Sequence, residues 1–397
     1  MMIFSFERCH AVVLFLFLVG GAKAAQYPQL AGGIRNKSQI NTIQLKHILQ
    51  SVQRRYAPDL SLAVFDITYV QFETGIIVRG EVDNPNAKNA VLHAVQKIIK
   101  GKVIDSIRVL PESALGSNTM ALVIPSVVNV RRKPGKQEEL LTQVLMGTVV
   151  KLLKKEHGYF FIQTPDHYLG WLDTAFVFVT NQTGVNSWNA DSTVIVTKFT
   201  GIVYARSDTS SDIVCEIIEG DILKNGDKKY GWIPVELADG RKGFVPDSVV
   251  QVLDEWKKSR VPTGESLEKT ARSFLGIRYL WGGISVHGMD CSGFVKTVYH
   301  ENGMELNRDA RQQAQQGVPI DPGENFQNLK KGDLLFFGRK ATAKRQKRVT
   351  HVALYLENGL YIHSSQRVRL SSFTTSSVYY EEPLFKRFLF ARRILQN

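Results

Sequence analysis

The feature that most restricts how this chain can fold is an internal repeat that runs without a gap at an offset of 73 positions. Gly147, Gly158, Asp166, Gly170 and Trp171 return as Gly220, Gly231, Asp239, Gly243 and Phe244, while Val149 and Val150 return as Ile222 and Leu223, and Tyr159 as Trp232. A fixed period of this kind means that one supersecondary unit is used twice. Short β-branched and aromatic runs lie between the glycines, which supply turn and bulge conformations that other side chains disfavour. The pattern predicts two tandem small β-barrels, over 119–181 and 192–253, with the polar stretch Asn181 to Asn189 as a spacer. A chain of 397 residues has room for further domains on both sides, at roughly 100–200 residues each.

The barrels resemble bacterial SH3-like domains. Upstream, from about Ser38 to Pro111, the pattern is helix, strand, strand, helix, strand. Leu45, Ile48, Leu49 and Val52 recur at helical spacing, and Ser61 to Val70 and Gly75 to Val82 are rich in strand formers. Asn84-Pro85 opens a second helix striped by Val91, Val95 and Ile98, and a last strand runs from Val103 to Leu110. This order, with Val78-Arg79-Gly80-Glu81-Val82 before the second helix, resembles the small BON-type domains of bacterial envelope proteins over 38–112. A generic α+β spacer is the plainer alternative.

The apolar run Val12 to Val19 follows Arg8 and ends at Gly20-Gly21 and Ala22-Lys23-Ala24. It is far shorter than the roughly 20 residues a membrane span needs, so 1–24 reads as a signal peptide cleaved after Ala24. The mature protein is then exported, periplasmic or extracellular, without stable membrane insertion. Fifty Lys and Arg against 37 Asp and Glu give +13. That charge is spread too evenly to indicate nucleic acid, and a monomer is expected. Three cysteines, Cys9, Cys215 and Cys291, build no disulfide framework and show no C-x-x-C zinc spacing. Cys215 sits inside the strand run Ile213 to Ile218 and reads as a small core residue.

The chemistry lies beyond Pro262. A short amphipathic helix, Ser266 to Phe274, is followed by Tyr279-Leu280-Trp281-Gly282-Gly283, then Asp290-Cys291-Ser292-Gly293-Phe294, then a helix closed by Asn302-Gly303. Cys291 stands at a helix N-terminus, where free backbone N–H groups and the helix dipole favour a negative sulfur. A thiol nucleophile needs a base, and His351 and His363 occupy adjacent strands of a predicted hairpin. A two-residue loop at Asn358-Gly359 would put the two imidazoles on opposite faces. A three-residue loop, Glu357 to Gly359 with Gly359 left-handed, pairs Leu356 with Leu360 and puts both on one face. The three-residue loop is predicted.

Taken together, Tyr279, Asp290-Cys291-Ser292-Gly293, Gly332-Asp333-Leu334-Leu335-Phe336-Phe337, His351 and His363 resemble the NlpC family of papain-like cell-wall cysteine peptidases over 262–397. The fold class is therefore α+β and multidomain, with a C-terminal NlpC-type unit. The resemblance implies Cys291 as nucleophile, His351 as general base and acid, His363 as the group that orients it, and Tyr279 flanking the sulfur. No metal or cofactor is expected.

Two SH3-like domains before the peptidase narrow the likeness to enzymes of wall recycling that cut between γ-linked D-glutamate and a diamino acid. In that likeness the first barrel walls the cleft, and Glu139, Tyr168 and Asp309 bind the free amine of a terminal L-alanine, with Glu139 and Asp309 as carboxylate partners of the ammonium. Asp290, Ser292 and Arg308 are further expected substrate contacts. The partner is then a peptidoglycan stem peptide, with diaminopimelate or lysine in third place. Departures from the family pattern are Arg278, Lys331 and Asn307 where proline is common, and His167 where glycine is usual. The basic run Arg339, Lys340, Lys344, Arg345, Lys347 and Arg348 reads as a solvated hairpin tip rather than an anion-attracting loop. Two other functional classes compete: a wall-binding protein that has lost activity, and an acyl transferase built on the same cysteine and histidines.

Overall fold

The computed structural model describes residues 42–190 and 192–395; the stretch 1–24 expected to be a signal peptide, and Cys9 within it, lie outside the described residues. Among the described residues no helix is long and apolar enough to cross a membrane.

The N-terminal unit runs α1 (Thr42–Tyr56), β1 (Phe65–Phe72), β2 (Gly75–Val82), α2 (Pro85–Ile98) and β3 (Lys102–Val109). β1 and β2 form an antiparallel pair, and α2 carries the chain across so that β3 adds parallel to β2. Asn84 caps α2 by accepting from the Asn86 N–H at 2.9 Å, with Pro85 at the first helical position. Ala87, Val91 and Val95 are the buried stripe.

The repeat is realised strand for strand. The first barrel comprises β4 (Met120–Val123), β5 (Val127–Arg131), β6 (Leu140–Leu145), β7 (Val149–Glu156), β8 (Tyr159–Gln163), β9 (Leu169–Asp173) and β10 (Val177–Thr180). The helix α3 (Gln182–Ala190) leads to β11 (Thr193–Val196), β12 (Thr200–Tyr204), β13 (Ile213–Ile218), β14 (Ile222–Asn225), β15 (Trp232–Glu236), β16 (Lys242–Pro246) and β17 (Val250–Val252). Each strand of the second set begins 73 residues after its counterpart, and the sheet orders β6-β5-β9-β8-β7-β4-β10 and β13-β12-β16-β15-β14-β11-β17 are the same. Core positions repeat as well: Val123, Val130, Val144, Val150 and Leu172 correspond to Val196, Val203, Ile217, Leu223 and Val245.

The turns repeat with them. His157 and Gly158 (φ 50° and 80°) and Tyr230 and Gly231 (φ 50° and 81°) close equivalent hairpins with both loop residues left-handed, the geometry that matches strand twist. The stretch Asn181 to Asn189 is not a polar spacer: it lies largely in α3. The Asn181 side chain accepts from the Gly184 N–H at 3.0 Å, and Val185 and Trp188, one turn apart, are buried. The barrels are also tied through fully buried Asp221, which accepts from Met146 N–H of the first barrel and Ile218 N–H of the second.

After α4 (Leu253–Lys258), the C-terminal unit contains α5 (Gly264–Ser273), the short pair β18 (Ile284–Ser285) and β19 (Gly288–Met289), α6 (Cys291–His300) and α7 (Ala310–Gln313). It continues through β20 (Val318–Ile320), β21 (Leu334–Arg339), β22 (Arg348–Tyr355), β23 (Leu360–Ser365), β24 (Arg367–Ser372), α8 (Glu382–Phe385) and β25 (Phe388–Arg393). Its six-stranded sheet, ordered β20-β25-β21-β22-β23-β24, is antiparallel throughout.

Alternation along the strands gives the sheet two apolar faces. Leu334, Phe336, Val352, Leu354 and Ile362 meet Phe294, Val295 and Val298 of α6, while Leu335, Phe337, Ala353, Tyr361 and Phe373 form a second cluster on the other side. Each such fully buried large side chain is worth about 1.5–3 kcal/mol. This packing fixes α6 against β22.

Candidate active site

Cys291 is the first residue of α6, and Asp290 is the capping residue. Asp290 Oδ1 accepts from the Gly293 N–H at 2.7 Å and Oδ2 from the Gly282 N–H at 2.9 Å, so one carboxylate fixes both the helix start and the Trp281-Gly282-Gly283 loop. The glycine of Asp-Cys-Ser-Gly is required by contact: a Cβ on Gly293 would stand 2.1 Å from the Gly283 carbonyl oxygen. The thiol is 8% exposed and faces the backbone N–H groups of Val352 and Ser292. Burial, then the Asp290 charge, push its pKa up to about 12, outweighing those two N–H groups and Arg308. The N–H groups of a helix N-terminus therefore do not by themselves hold this sulfur as a resting thiolate, in keeping with the sequence reading that a thiol here needs a base.

The hairpin holding the two histidines has the three-residue loop. Leu354 pairs with Ile362 and Tyr355 with Tyr361, the Leu356 N–H donates to the Leu360 carbonyl, and Asn358 as well as Gly359 is left-handed. That register sets His363 opposite Ala353, so His351 and His363 are diagonal neighbours with Nε2 of the first 2.7 Å from Nδ1 of the second.

His363 is fully buried, and its Nε2 lies 2.9 Å from Ser371 Oγ, which in turn is 2.9 Å from Glu381 Oε1. Proton positions follow from the far end. An ionised Glu381, held by two contacts from Arg369, only accepts, so Ser371 donates to it and accepts from His363 Nε2–H. His363 Nδ1 then accepts from His351 Nε2–H, which leaves the lone pair of His351 on Nδ1. Burial, then the charges of Arg387 and Arg369, push the His351 pKa down to about 4, and burial followed by His351 pushes that of His363 down as well. Both rings are neutral near pH 7, and His351 keeps part of its surface open. The Tyr279 hydroxyl is half-buried near the sulfur: burial raises its pKa first, and the Cys291 charge adds to the rise.

The first barrel closes over this centre. Gly282 is left-handed (φ 77°), and a Cβ there would be 2.8 Å from the Leu140 carbonyl oxygen, so β6 rests directly on the loop before Cys291. Gln143 Oε1 accepts from Ile284 N–H and Ser285 Oγ.

Arg308, 2% exposed, donates to Thr142 Oγ1 (2.8 Å), Asp290 Oδ1 and Oδ2 (3.1 and 2.7 Å) and Ser292 Oγ (3.0 Å). The sequence reading placed Asp290, Ser292 and Arg308 against substrate. The structure brings them together as a buried network joining barrel to helix, with Arg308 donors committed on every side.

Tyr168 Oη donates to Asp309 Oδ1 at 3.0 Å, and Glu139 lies in the same neighbourhood. Each acid already holds a guanidinium: Glu139 is bound by Arg132 at 2.6 Å and Asp309 by Arg311 at 3.1 Å. His167 adopts φ 64°, the left-handed conformation of its repeat counterpart Gly240 (φ 84°), so the turn before Tyr168 keeps that backbone conformation without a glycine. The basic run 339–348 is exposed between β21 and β22, with Lys347 over the Phe390 ring at 4.3 Å. Cys215 is half-buried with its pKa pushed up to about 11 by burial, as suits a packing thiol. Sequence reasoning missed Ser371, Glu381, Thr142, Arg132 and Asp59. Nothing marks Ser371 in its Ser-Ser-Phe context except a register that pairs it with Tyr361.

Comparison with known proteins fits this geometry. The NlpC/P60 family profile matches residues 276–388, and that of the bacterial dipeptidyl-peptidase Sh3 domain matches 130–175. A gamma-D-glutamyl-L-lysine dipeptidyl-peptidase of Bacillus subtilis is 30% identical over 254 residues, 61% of this chain and 78% of the relative. The chain belongs to the NlpC/P60 family. It is a cysteine peptidase of that family, carrying SH3-like units ahead of the NlpC/P60 unit. The Bacillus cereus gamma-D-glutamyl-L-lysine dipeptidyl-peptidase is also 30% identical, over 58% of this chain and 69% of its own length. The solved NlpC/P60 family protein from Bacillus cereus shares the fold with a TM-score of 0.59 at 23% identity, covering 70% of this chain and all of that one.

Proposed function

We propose that this NlpC/P60 peptidase hydrolyses the bond between γ-D-glutamate and the diamino acid of peptidoglycan stem peptides carrying a free N-terminal L-alanine. The observation that carries the reading is the hydrogen-bonded string Glu381–Ser371–His363–His351, which ends in a base lone pair beside the strand residue whose N–H faces the Cys291 sulfur. Cys291 Sγ attacks the γ-carbonyl while His351 Nδ1 takes its proton. The Cys291 N–H, at the helix start, stabilises the oxyanion, and Tyr279 flanks the sulfur. Collapse forms a thioester as His351 returns the proton to the departing amine, and water deprotonated by the same ring releases the acid and regenerates the thiol.

The substrate class is supported by the relatives' names and by the first barrel over the cleft, whose Glu139 and Tyr168 face the region of Asp309. Export through the leader 1–24, a BON-like character of the N-terminal unit and the domain limits given above belong to the same reading.

Incubating L-Ala-γ-D-Glu-diaminopimelate and its lysine analogue with wild-type and Cys291→Ala protein tests it: wild type releases the dipeptide and the variant does not. Absence of cleavage by wild type from pH 5 to 9 overturns the reading, and comparison with the N-acetylated peptide tests the amine requirement separately. The base must be neutral to act, so on the acid side kcat/KM holds until pH drops toward about 4. With a free-amine peptide it also declines above about pH 8, where the substrate ammonium deprotonates.

A further inference from the structure

The N-terminal unit reaches the cleft through the loop between α1 and β1. Asp59 accepts two guanidinium bonds from Arg311 of α7 (2.8 and 2.9 Å) and one from Gln312 Nε2 (2.8 Å), and Ser61 Oγ contacts both residues at 2.9 Å. The same loop is pinned to the first barrel, since the Ser61 carbonyl accepts from Leu169 N–H and the Leu62 carbonyl from Gln163 Nε2. It therefore sits at the seam where Tyr168 of the barrel meets Asp309 of the peptidase unit. Arg311 is shared: besides Asp59 it touches Asp309 Oδ2 at 3.1 Å, while Asp309 Oδ1 receives Tyr168.

Charge counting gives this sharing a consequence. With Arg308 balanced by Asp290, Glu139, Asp309 and Asp59 face two further guanidiniums, Arg132 and Arg311, leaving one uncompensated negative charge, the complement of a single ammonium. Without Asp59 the count is zero, and Arg311 is free to turn both arms onto Asp309 in the bidentate geometry that Arg and carboxylate favour. Burial raises the Asp59 pKa, but its bonds to Arg311, Gln312 and Ser61 outweigh that and hold it well below the usual carboxylate range, so it is ionised at neutral pH.

We propose that Asp59 is a positioning residue for the peptidase: by engaging Arg311 it keeps Asp309 available to the substrate ammonium, so the N-terminal unit sets amine specificity. This rests on the free-amine reading above. The test compares KM and kcat for L-Ala-γ-D-Glu-diaminopimelate and its N-acetyl form in full-length wild type, Asp59→Asn, Arg311→Gln and the double variant. Asp59→Asn raises KM for the free-amine peptide about tenfold, the effect of losing one ionic contact of about 1.4 kcal/mol, with a smaller change in kcat. The acetylated peptide's KM does not move. Arg311→Gln does not raise KM, and the double variant returns it toward wild type because the net negative charge is restored.

A rise of similar size in all three variants means that the contact only docks the unit, and overturns the proposal. So does a selective wild type whose selectivity survives Asp59→Asn. If Asp59→Asn does not fold, Arg311→Gln alone decides, since a weakened free-amine KM there contradicts the charge argument. A wild type indifferent to acetylation overturns the amine reading itself and this proposal with it.

Discussion

The two barrels share their strand order, turns and core, yet they meet the peptidase unit differently. The first sends Thr142 to Arg308, Gln143 to Ile284 and Ser285, and Tyr168 to Asp309. At the same places, 73 residues on, the second carries Cys215, Glu216 and Arg241. Cys215 is a packing residue and Arg241 turns back onto Asp239 and the Val214 carbonyl of its own barrel. Glu216 makes a 3.6 Å contact with His287, and Phe199 of this barrel stacks on Phe274 with ring centroids 5.4 Å apart. A barrel of this kind is specified by its apolar core and its turns, which leaves the polar positions of β6 and of the loop before β9 free to diverge. One copy became part of a cleft wall, and the other a buttress.

The comparison is broken most severely at Arg308. Arg308→Met leaves Asp290 buried without its counter-ion and removes the bond to the first barrel, and should cost about 3–5 kcal/mol in denaturant unfolding. A loss below about 1 kcal/mol would mean that the network holds nothing together.

Next, Thr142→Val strands the Arg308 Nε–H and should cost about 1–3 kcal/mol, whereas Cys215→Val at the equivalent position should cost less than about 1 kcal/mol. Equal losses would erase the distinction between the copies. Tyr168→Phe removes one hydrogen bond to Asp309 and should raise KM several-fold, about 1 kcal/mol, while Arg241→Ala leaves kinetics unchanged.

The last test concerns the seam of the second barrel. A cavity of about 920 Å3 lies between the barrels and the peptidase unit, lined among others by Trp188, Glu219 and Glu301. Burial, then the nearby Glu301 charge, push the Glu219 pKa up to about 8, and its Oε2 has no hydrogen-bond partner among the described residues. The folded state holds this proton while the unfolded chain releases it above about 4.3, so stability falls as pH rises from there to about 8. Glu219→Gln should therefore raise Tm at pH 9 and leave it little changed at pH 4. An equal shift at both pH values would place Glu219 in water.

Legibility followed locality. The 73-residue period, the Asn84-Pro85 helix start, Cys291 behind its Asp290 cap and the three-residue hairpin loop each depend on a few neighbouring residues, and each could be read from the chain. The Asn181 to Asn189 stretch was misread because its helix is held by two apolar side chains buried against neighbours, which composition averages away.

The sequence by itself determined that this chain repeats a barrel and presents a thiol at a helix start with two histidines on one strand face, because side-chain period and cap chemistry act within a few residues. Only the tertiary structure decided which acids and bases meet. Arg308 joins three segments, Ser371 and Glu381 set the His351 tautomer, and Asp59 reaches Arg311 from 252 positions away. Such pairings are fixed by how packed units dock, and burial then decides which groups stay charged.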